Sequence, residues 1–341
     1  MNSLRNLVEK IYQNQKGRIF EETKEDPEEA HKYFTELAQI IYAFGLSGIL
    51  LDNSANKKHS KISLVNAAGF NKNGDIPPKF LRYLGFDEII IGTVTNNSYE
   101  GNSRPRIKRF PNTHSLVNWM GLPGIGSYEV ALNIKRYGED PKNIIANIMA
   151  TPGKHREEAL EDLKRTVSDL NGLCCGYELN ISCPNTSHSR EEYQSNLRRM
   201  LEVVSKSKNK EFVNLKVSPD LDEKGVDDII SAGDEFGVYG YTTTNTTTYH
   251  DKRYIPESPG KGGASGNAVY ERALKVQRMF EEKIDHDRNV INACGGINTI
   301  EKLRERTSSN LIEQVQIFTP LIFQGPGLIR EFREALPCIN H

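Results

Sequence analysis

The sequence predicts an α/β fold: a (β/α)8 TIM barrel with a small N-terminal helical extension. Three observations carry this. Short apolar, β-branched runs recur along the chain, charged segments of helical spacing separate them, and glycine and polar residues gather where the runs end. The runs are ISLVNAAGF (62–70), EIIIGTVT (88–95), NIIANIMA (143–150), GYELNISC (176–183), FVNLKVSP (212–219), VYGYTTTNT (238–246), NVINACGG (289–296) and EQVQIFTPLIF (313–323). HREEALEDLKRTVSDL, REEYQSNLRRMLEVVSKS, DEKGVDDIISAGDEFG and AVYERALKVQRMFEEK read as amphipathic helices between them. Near-continuous apolar strands alternating with such helices imply a parallel sheet covered by helices, and eight units close naturally into a barrel. An open doubly wound sheet is the alternative.

Residues 1–58 precede the first strand and read as a helical extension, with the barrel spanning 59–341. In DPEEAHKYFTELAQIIYAF, Asp26 is a candidate N-cap with Pro27 at the first helical position and acids in the first turn. The segment 96–126 is long for one connection and is expected to make a small excursion over the barrel mouth.

With 341 residues, 37% hydrophobic and 26% charged, the chain has apolar material for a sizeable core and too much for a disordered chain. Its 44 basic and 45 acidic residues leave a formal net charge of −1, which argues against a broad nucleic-acid surface. The five cysteines, at 174, 175, 183, 294 and 338, show no CxxC or zinc-type spacing. No metal and a reduced, cytoplasmic compartment are therefore expected. The first residues lack an uninterrupted apolar segment and carry an acidic run, unlike a secretory signal or a mitochondrial transit peptide. The most apolar stretch, LAQIIYAFGLSGILL (37–51), falls short of the roughly 18 apolar residues of a spanning helix. It reads as a buried helix or one lying on a membrane surface.

In a parallel barrel the active site lies at the C-terminal ends of the strands, and the unusual residues of this chain collect there. An exposed lysine is usually a solvated charge, but Lys216 sits between apolar residues in FVNLKVSP and reads as a cation facing an anionic or electron-rich cofactor. Lys72, in a glycine-bounded turn, is open between surface charge and ligand contact. Gly295-Gly296 and the cluster Gly262-Gly263-Ala264-Ser265-Gly266 offer backbone donors to a phosphate at consecutive loops. Cys174, Cys175, Cys294 and Cys338 read as small hydrophobes. Cys183 ends a strand between Asn180 and Asn185, and such a thiol can act as a base once its surroundings lower its pKa.

AAGFNKNG, GTVT, GNSRPRIKRFP, NWMGLP, ELNISCPNT, LKVSPDL, TTNTT, GGASG, ACGGI and IFTPLIFQGPGL resemble, in order and spacing, the motifs of dihydroorotate dehydrogenases over residues 62–335. The resemblance implies FMN in the barrel mouth, held by Ala68, Gly69, Thr93, Asn147, Asn180, Lys216, Thr244, Ser265, Gly266, Gly295, Gly296, Phe318 and Thr319. It implies dihydroorotate, oxidised to orotate for pyrimidine biosynthesis, held by Lys72, Asn118, Met120, Gly121, Leu122, Asn180, Asn185, Asn245 and Thr246. Cys183 then removes the C5 proton while C6 delivers hydride to the flavin, and Lys216 stabilises the anionic reduced flavin.

The helix starting DPEEAH and the GNSRPRIKRFP segment resemble the membrane-associated, quinone-reducing branch (class 2). That branch has an arginine between flavin and quinone tunnel at the position of Arg109. ELNISCPN and NWMGLP resemble the soluble branch (class 1), which uses cysteine as base where the quinone branch uses serine. Phe318 stands where the quinone branch commonly has tyrosine. The N-terminal helices favour quinone as electron acceptor and peripheral attachment to the inner face of a membrane. Fumarate is the alternative acceptor, and a related FMN barrel acting on another pyrimidine is the alternative activity.

Overall fold

The structure, a computed structural model, describes residues 2–45, 60–181 and 190–336. Its centre is a closed barrel of eight parallel strands: β1 (Ser63–Asn71), β2 (Glu88–Val94), β5 (Ile144–Ile148), β6 (Gly176–Asn180), β7 (Phe212–Val217), β8 (Gly240–Thr243), β10 (Val290–Cys294) and β11 (Ile312–Ile317). They follow one another around the barrel in chain order, β11 closing on β1 through pairs such as Val65 with Gln316. β3 (Ile107–Phe110), β4 (Ser115–Asn118) and β9 (Gly263–Gly266) form a separate antiparallel sheet. The (β/α)8 TIM barrel predicted from the sequence is the fold observed.

The covering helices form where spacing and caps agree. In Glu223–Phe236, Val226, Ile229, Ile230 and Gly233 recur at helical intervals and are buried. The Asp222 side chain accepts from the Gly225 amide at 2.7 Å to start this helix, and Gly237, at φ +64°, ends it in the left-handed region. Gly233 is required by close approach: a Cβ there would lie 2.2 Å from the Tyr241 hydroxyl on β8.

Three readings need correction. EQVQIFTPLIF is not one strand: β11 stops at Ile317, Phe318 leaves extended geometry at φ −141°, ψ −70°, and Thr319–Gln324 is a short helix. Pro320 has no N–H to give a ladder and suits a first helical turn. The run 238–246 contributes only Gly240–Thr243 to the barrel. The excursion at 96–126 is the β3–β4 hairpin, and it is completed by Gly263–Gly266, read from sequence as a loop.

Two helices precede the barrel, α1 (Asn2–Glu22) and α2 (Glu28–Ala43); the expected boundary at residue 58 lies outside the described residues. The α2 helix begins one residue later than expected, so Pro27 and not Asp26 stands at its N-cap; Asp26, one residue earlier, accepts the Glu28 amide at 3.2 Å. α1 lies against the C-terminal end of the chain. The Tyr12 hydroxyl donates to the Ile322 carbonyl at 2.6 Å, Lys16 donates to the Phe323 carbonyl at 2.8 Å, and Glu9 accepts from the Gly327 amide at 2.7 Å. α2 leaves Tyr33, Leu37, Ile40 and Phe44 exposed in one apolar row at i, i+4, i+7 and i+11. Among the described residues no helix is long and apolar enough to cross a membrane.

Arg306 is the largest fully buried side chain. It ends the helix Ile300–Arg306 and donates to the Thr243 (2.5 Å), Cys294 (3.2 Å) and Gly295 (3.1 Å) carbonyls and to the Gln277 side chain (2.5 Å). It thereby clamps the ends of β8 and β10. Burial pushes its guanidinium down to about 10, still charged at neutral pH. Arg306→Met strands these acceptors, and we expect a loss of about 3 kcal/mol in urea unfolding. Withdrawal of His31 from solvent, then the Lys72 ammonium, push its imidazole from 6.5 down to about 4. The folded chain therefore resists that proton, and stability should fall as pH drops from 6.5 through 4. Urea midpoints across that range should show a flatter decline in His31→Gln.

Candidate active site at the barrel mouth

One cavity of about 1230 Å³ starts at the C-terminal ends of the barrel strands and continues outward between α1 and α2. Its inner end rests on a buried polar network. Lys216 on β7 and Glu178 on β6 are 3% and 0% exposed, with their charged atoms 3.5 Å apart. Glu178 also accepts from Asn147 (2.6 Å), Thr242 (2.6 Å) and Gln316 (2.8 Å), while the Gln316 carbonyl accepts from Lys216 at 3.2 Å. Gln316 reaches in from β11, far from β6 around the barrel, so the network spans the interior. Burial works against the Lys216 charge, but the neighbouring Cys294 and Glu178 hold it above the ordinary lysine value. Burial also raises the Cys294 thiol, and the facing Lys216 opposes that rise.

Around this network stand most of the residues expected at a cofactor. Ala68, Gly69, Thr93, Asn180, Lys216, Thr244, Ser265, Gly266, Gly295, Gly296, Phe318 and Thr319 all line the cavity. Asn147 does not. It is fully buried and supports Glu178 from behind, its own carbonyl oxygen without a partner. Gly266, Gly295 and Gly296 have φ of +74°, +109° and +74°. A Cβ at Gly266 would lie 2.1 Å from the His114 carbonyl, so that backbone is available only to glycine. The Ser265 and Thr319 hydroxyls are 2.9 Å apart beside this turn. Positive charge below and small polar donors above suit an anionic, aromatic group carrying a phosphate.

The substrate-side candidates cluster at the neighbouring rim. Lys72, Asn118, Met120, Gly121, Leu122, Asn180, Asn245 and Thr246 line the same cavity. The Asn245 amide donates to the Asn180 side-chain oxygen at 3.4 Å and accepts the Thr246 amide at 2.8 Å. Asn118 is fixed at the end of β4 by donation to the Gly263 carbonyl at 3.3 Å. Gly121 and Leu122 are both left-handed, at φ +72° and +57°, which aims this loop at the cavity at a cost in strain for Leu122. Cys183 and Asn185 lie outside the described residues.

The outer end is aromatic and apolar. Phe318 packs edge-on against Phe70 with centroids 5.3 Å apart, and His31 sits 6.4 Å from Phe318. Arg109 lines this end. Its guanidinium lies 4.4 Å over Phe20 of α1 and donates to the Thr23 carbonyl at 2.6 Å and hydroxyl at 2.7 Å. Sequence reasoning missed Glu178, Gln316, Arg306, His31 and the inward placement of Cys294. Glu178 could have been suspected as a carboxylate inside an apolar strand; Arg306 looked like any charge on an amphipathic helix.

Known proteins match this description. A family model described as dihydroorotate dehydrogenase matches residues 50–339. A protein of Corynebacterium efficiens named dihydroorotate dehydrogenase (quinone) is 34% identical over 276 residues, covering 79% of this chain and 72% of its own. One of the same name from Halobacterium salinarum is 31% identical, covering 79% and 76%. The fold is also that of a crystal structure of DHODH in complex with ferulenol from Eimeria tenella. Its TM-score is 0.75 at 23% identity, covering 91% of this chain and 90% of that one. Barrel, cavity and sequence agree, and the chain belongs to the dihydroorotate dehydrogenase family of enzymes.

Proposed function

We propose that this enzyme is FMN-dependent, oxidises (S)-dihydroorotate to orotate with Cys183 as base, and passes the electrons to a quinone. The supporting observation is the two-ended cavity, polar and cationic at the barrel and aromatic between α1 and α2. The inner end fits FMN. Lys216 supplies a buried positive charge, and the Gly266, Gly295 and Gly296 turns with Ser265 and Thr319 supply compact donors suited to its phosphate. When bound, FMN supplies the hydride acceptor.

The remaining work falls to the chain. Asn118, Asn180, Asn245 and Thr246, with Asn185, would hold the dihydropyrimidine ring through paired donors and acceptors, and Lys72 would meet its carboxylate. Cys183 would take the C5 proton once its thiolate is populated. Lys216, held charged by Glu178, would face the electron-rich edge of the cofactor. The domain division at residues 58/59 and attachment to a membrane surface belong to the same reading. The exposed row Tyr33, Leu37, Ile40 and Phe44 would lie on the lipid beside the outer end of the cavity. The quinone-type names of the relatives support that acceptor. ELNISCPN and NWMGLP keep fumarate as the second reading.

Dihydroorotate added anaerobically to the yellow holoenzyme should bleach its flavin absorbance. A protein that binds FMN but is left unbleached would refute the substrate. Cys183→Ala should retain FMN and bleach about 100-fold more slowly at neutral pH; an unchanged rate removes Cys183 as base. Arg109→Gln should slow reoxidation of the bleached enzyme by a short-chain quinone about tenfold and leave bleaching within about twofold. Reoxidation by fumarate at a higher rate than by quinone, in the wild-type protein, would reverse the acceptor assignment.

A further inference from the structure

Lys72 rises from the turn after β1, and the carboxylate within ion-pair reach of it among the described residues belongs to Glu28, 3.8 Å away at the first turn of α2. The two side chains are 23% and 14% exposed, so the pair is shielded from bulk water. The same carboxylate is gripped by Arg106, whose Nε and Nη2 donate at 2.7 and 3.1 Å, and it lies 3.5 Å from Arg104. Arg106 in turn donates to the Met120 carbonyl at 3.3 Å and the Asn102 carbonyl at 2.9 Å, the backbone that carries the substrate-side loop. One carboxylate from the N-terminal helices thus ties together two of the substrate-side elements of the barrel mouth.

We propose that Glu28 is a positioning residue: it orients Lys72 and holds it charged for the substrate carboxylate, so that seating of α2 sets substrate affinity. This rests on the reading above that Lys72 meets the substrate. The charged groups facing Lys72 are Glu28, Arg106, Asp75 and Arg104, with His31 across the cavity. Burial lowers the Lys72 ammonium from its ordinary value, Glu28 and Asp75 oppose that, and Arg106 and Arg104 add to it. Without the Glu28 charge the ammonium is less favourable still, and it loses its proton at a lower pH.

The test is orotate binding to the FMN holoenzyme, read from the flavin spectrum across pH, with Tm recorded in parallel. Glu28→Gln should weaken orotate about tenfold at neutral pH and move the alkaline loss of binding to lower pH. Bleaching at saturating dihydroorotate should stay within about twofold, so the change falls on KM rather than kcat. Glu28→Asp, which keeps the charge at shorter reach, should shift both readings the same way by less, and it decides the matter where the Gln variant does not fold. In a Lys72→Met background Glu28→Gln should weaken orotate no further. A lower Tm with wild-type orotate affinity and an unmoved alkaline limb overturns the proposal. A wild-type holoenzyme that binds no orotate sinks the substrate reading instead, and this inference with it.

Discussion

The Glu178–Lys216 pair inside the barrel is the constraint on which the rest of the site depends. Both groups are removed from water, and each alone would be strongly unfavourable there. Their coexistence requires the neighbours they have. Asn147, Thr242 and Gln316 complete the carboxylate's hydrogen bonds, and Gln316 returns an acceptor to the ammonium. Since these side chains come from β5, β6, β7, β8 and β11, only a closed barrel of this register brings them together. The pair fixes a positive charge at the inner end of the cavity, and that charge selects what the cavity can hold.

A second polar device keeps the opposite wall in place. Arg306 holds three carbonyls at the ends of β8 and β10, beside the glycine turn at Gly295 and Gly296. Among the described residues its hydrogen bonds go to backbone carbonyls and to Gln277. The glycine geometry above it is therefore anchored from below by hydrogen bonds. Outside this wall, α1 and α2 close the cavity with aromatic surface, tied to the barrel by Tyr12, Lys16, Glu9 and Phe20 of α1 and by Glu28, His31 and Phe34 of α2. That division separates a rigid chemical end from an end built of two helices.

The family resemblances are mixed along the chain. ELNISCPN and NWMGLP resemble one branch, while DPEEAH in the N-terminal helices and GNSRPRIKRFP at the barrel mouth resemble the other. On the proposed reading the residues around Lys216 would serve the first half of the reaction whichever acceptor is used. On the same reading the acceptor would meet the outer end, where Phe318 and Arg109 line the cavity. Substitutions in one end can accumulate with little effect on the other, except through shared ties such as Glu28.

The sequence by itself determined the alternation of parallel strands and covering helices, because period and composition are local properties that survive any arrangement of the rest. Closure into a barrel rather than an open sheet was decided by the tertiary structure. The sequence also determined Lys216, since a lysine among apolar residues must find an anionic or polar partner. It could not identify that partner. Glu178 and Gln316 are 38 and 100 positions from Lys216, and only the tilt and register of the barrel place them on one side chain. The roles of Arg306 and the cavity-facing side of Cys294 are not legible for the same reason: a charged residue on an amphipathic helix and a small residue at a strand end look alike whether they face solvent, core or cavity. The GGASG segment has too little side chain to show strand periodicity, and its pairing with β4 comes from the hairpin across from it. Local chemistry set the elements; the long-range hydrogen bonds that only closure can satisfy set the site.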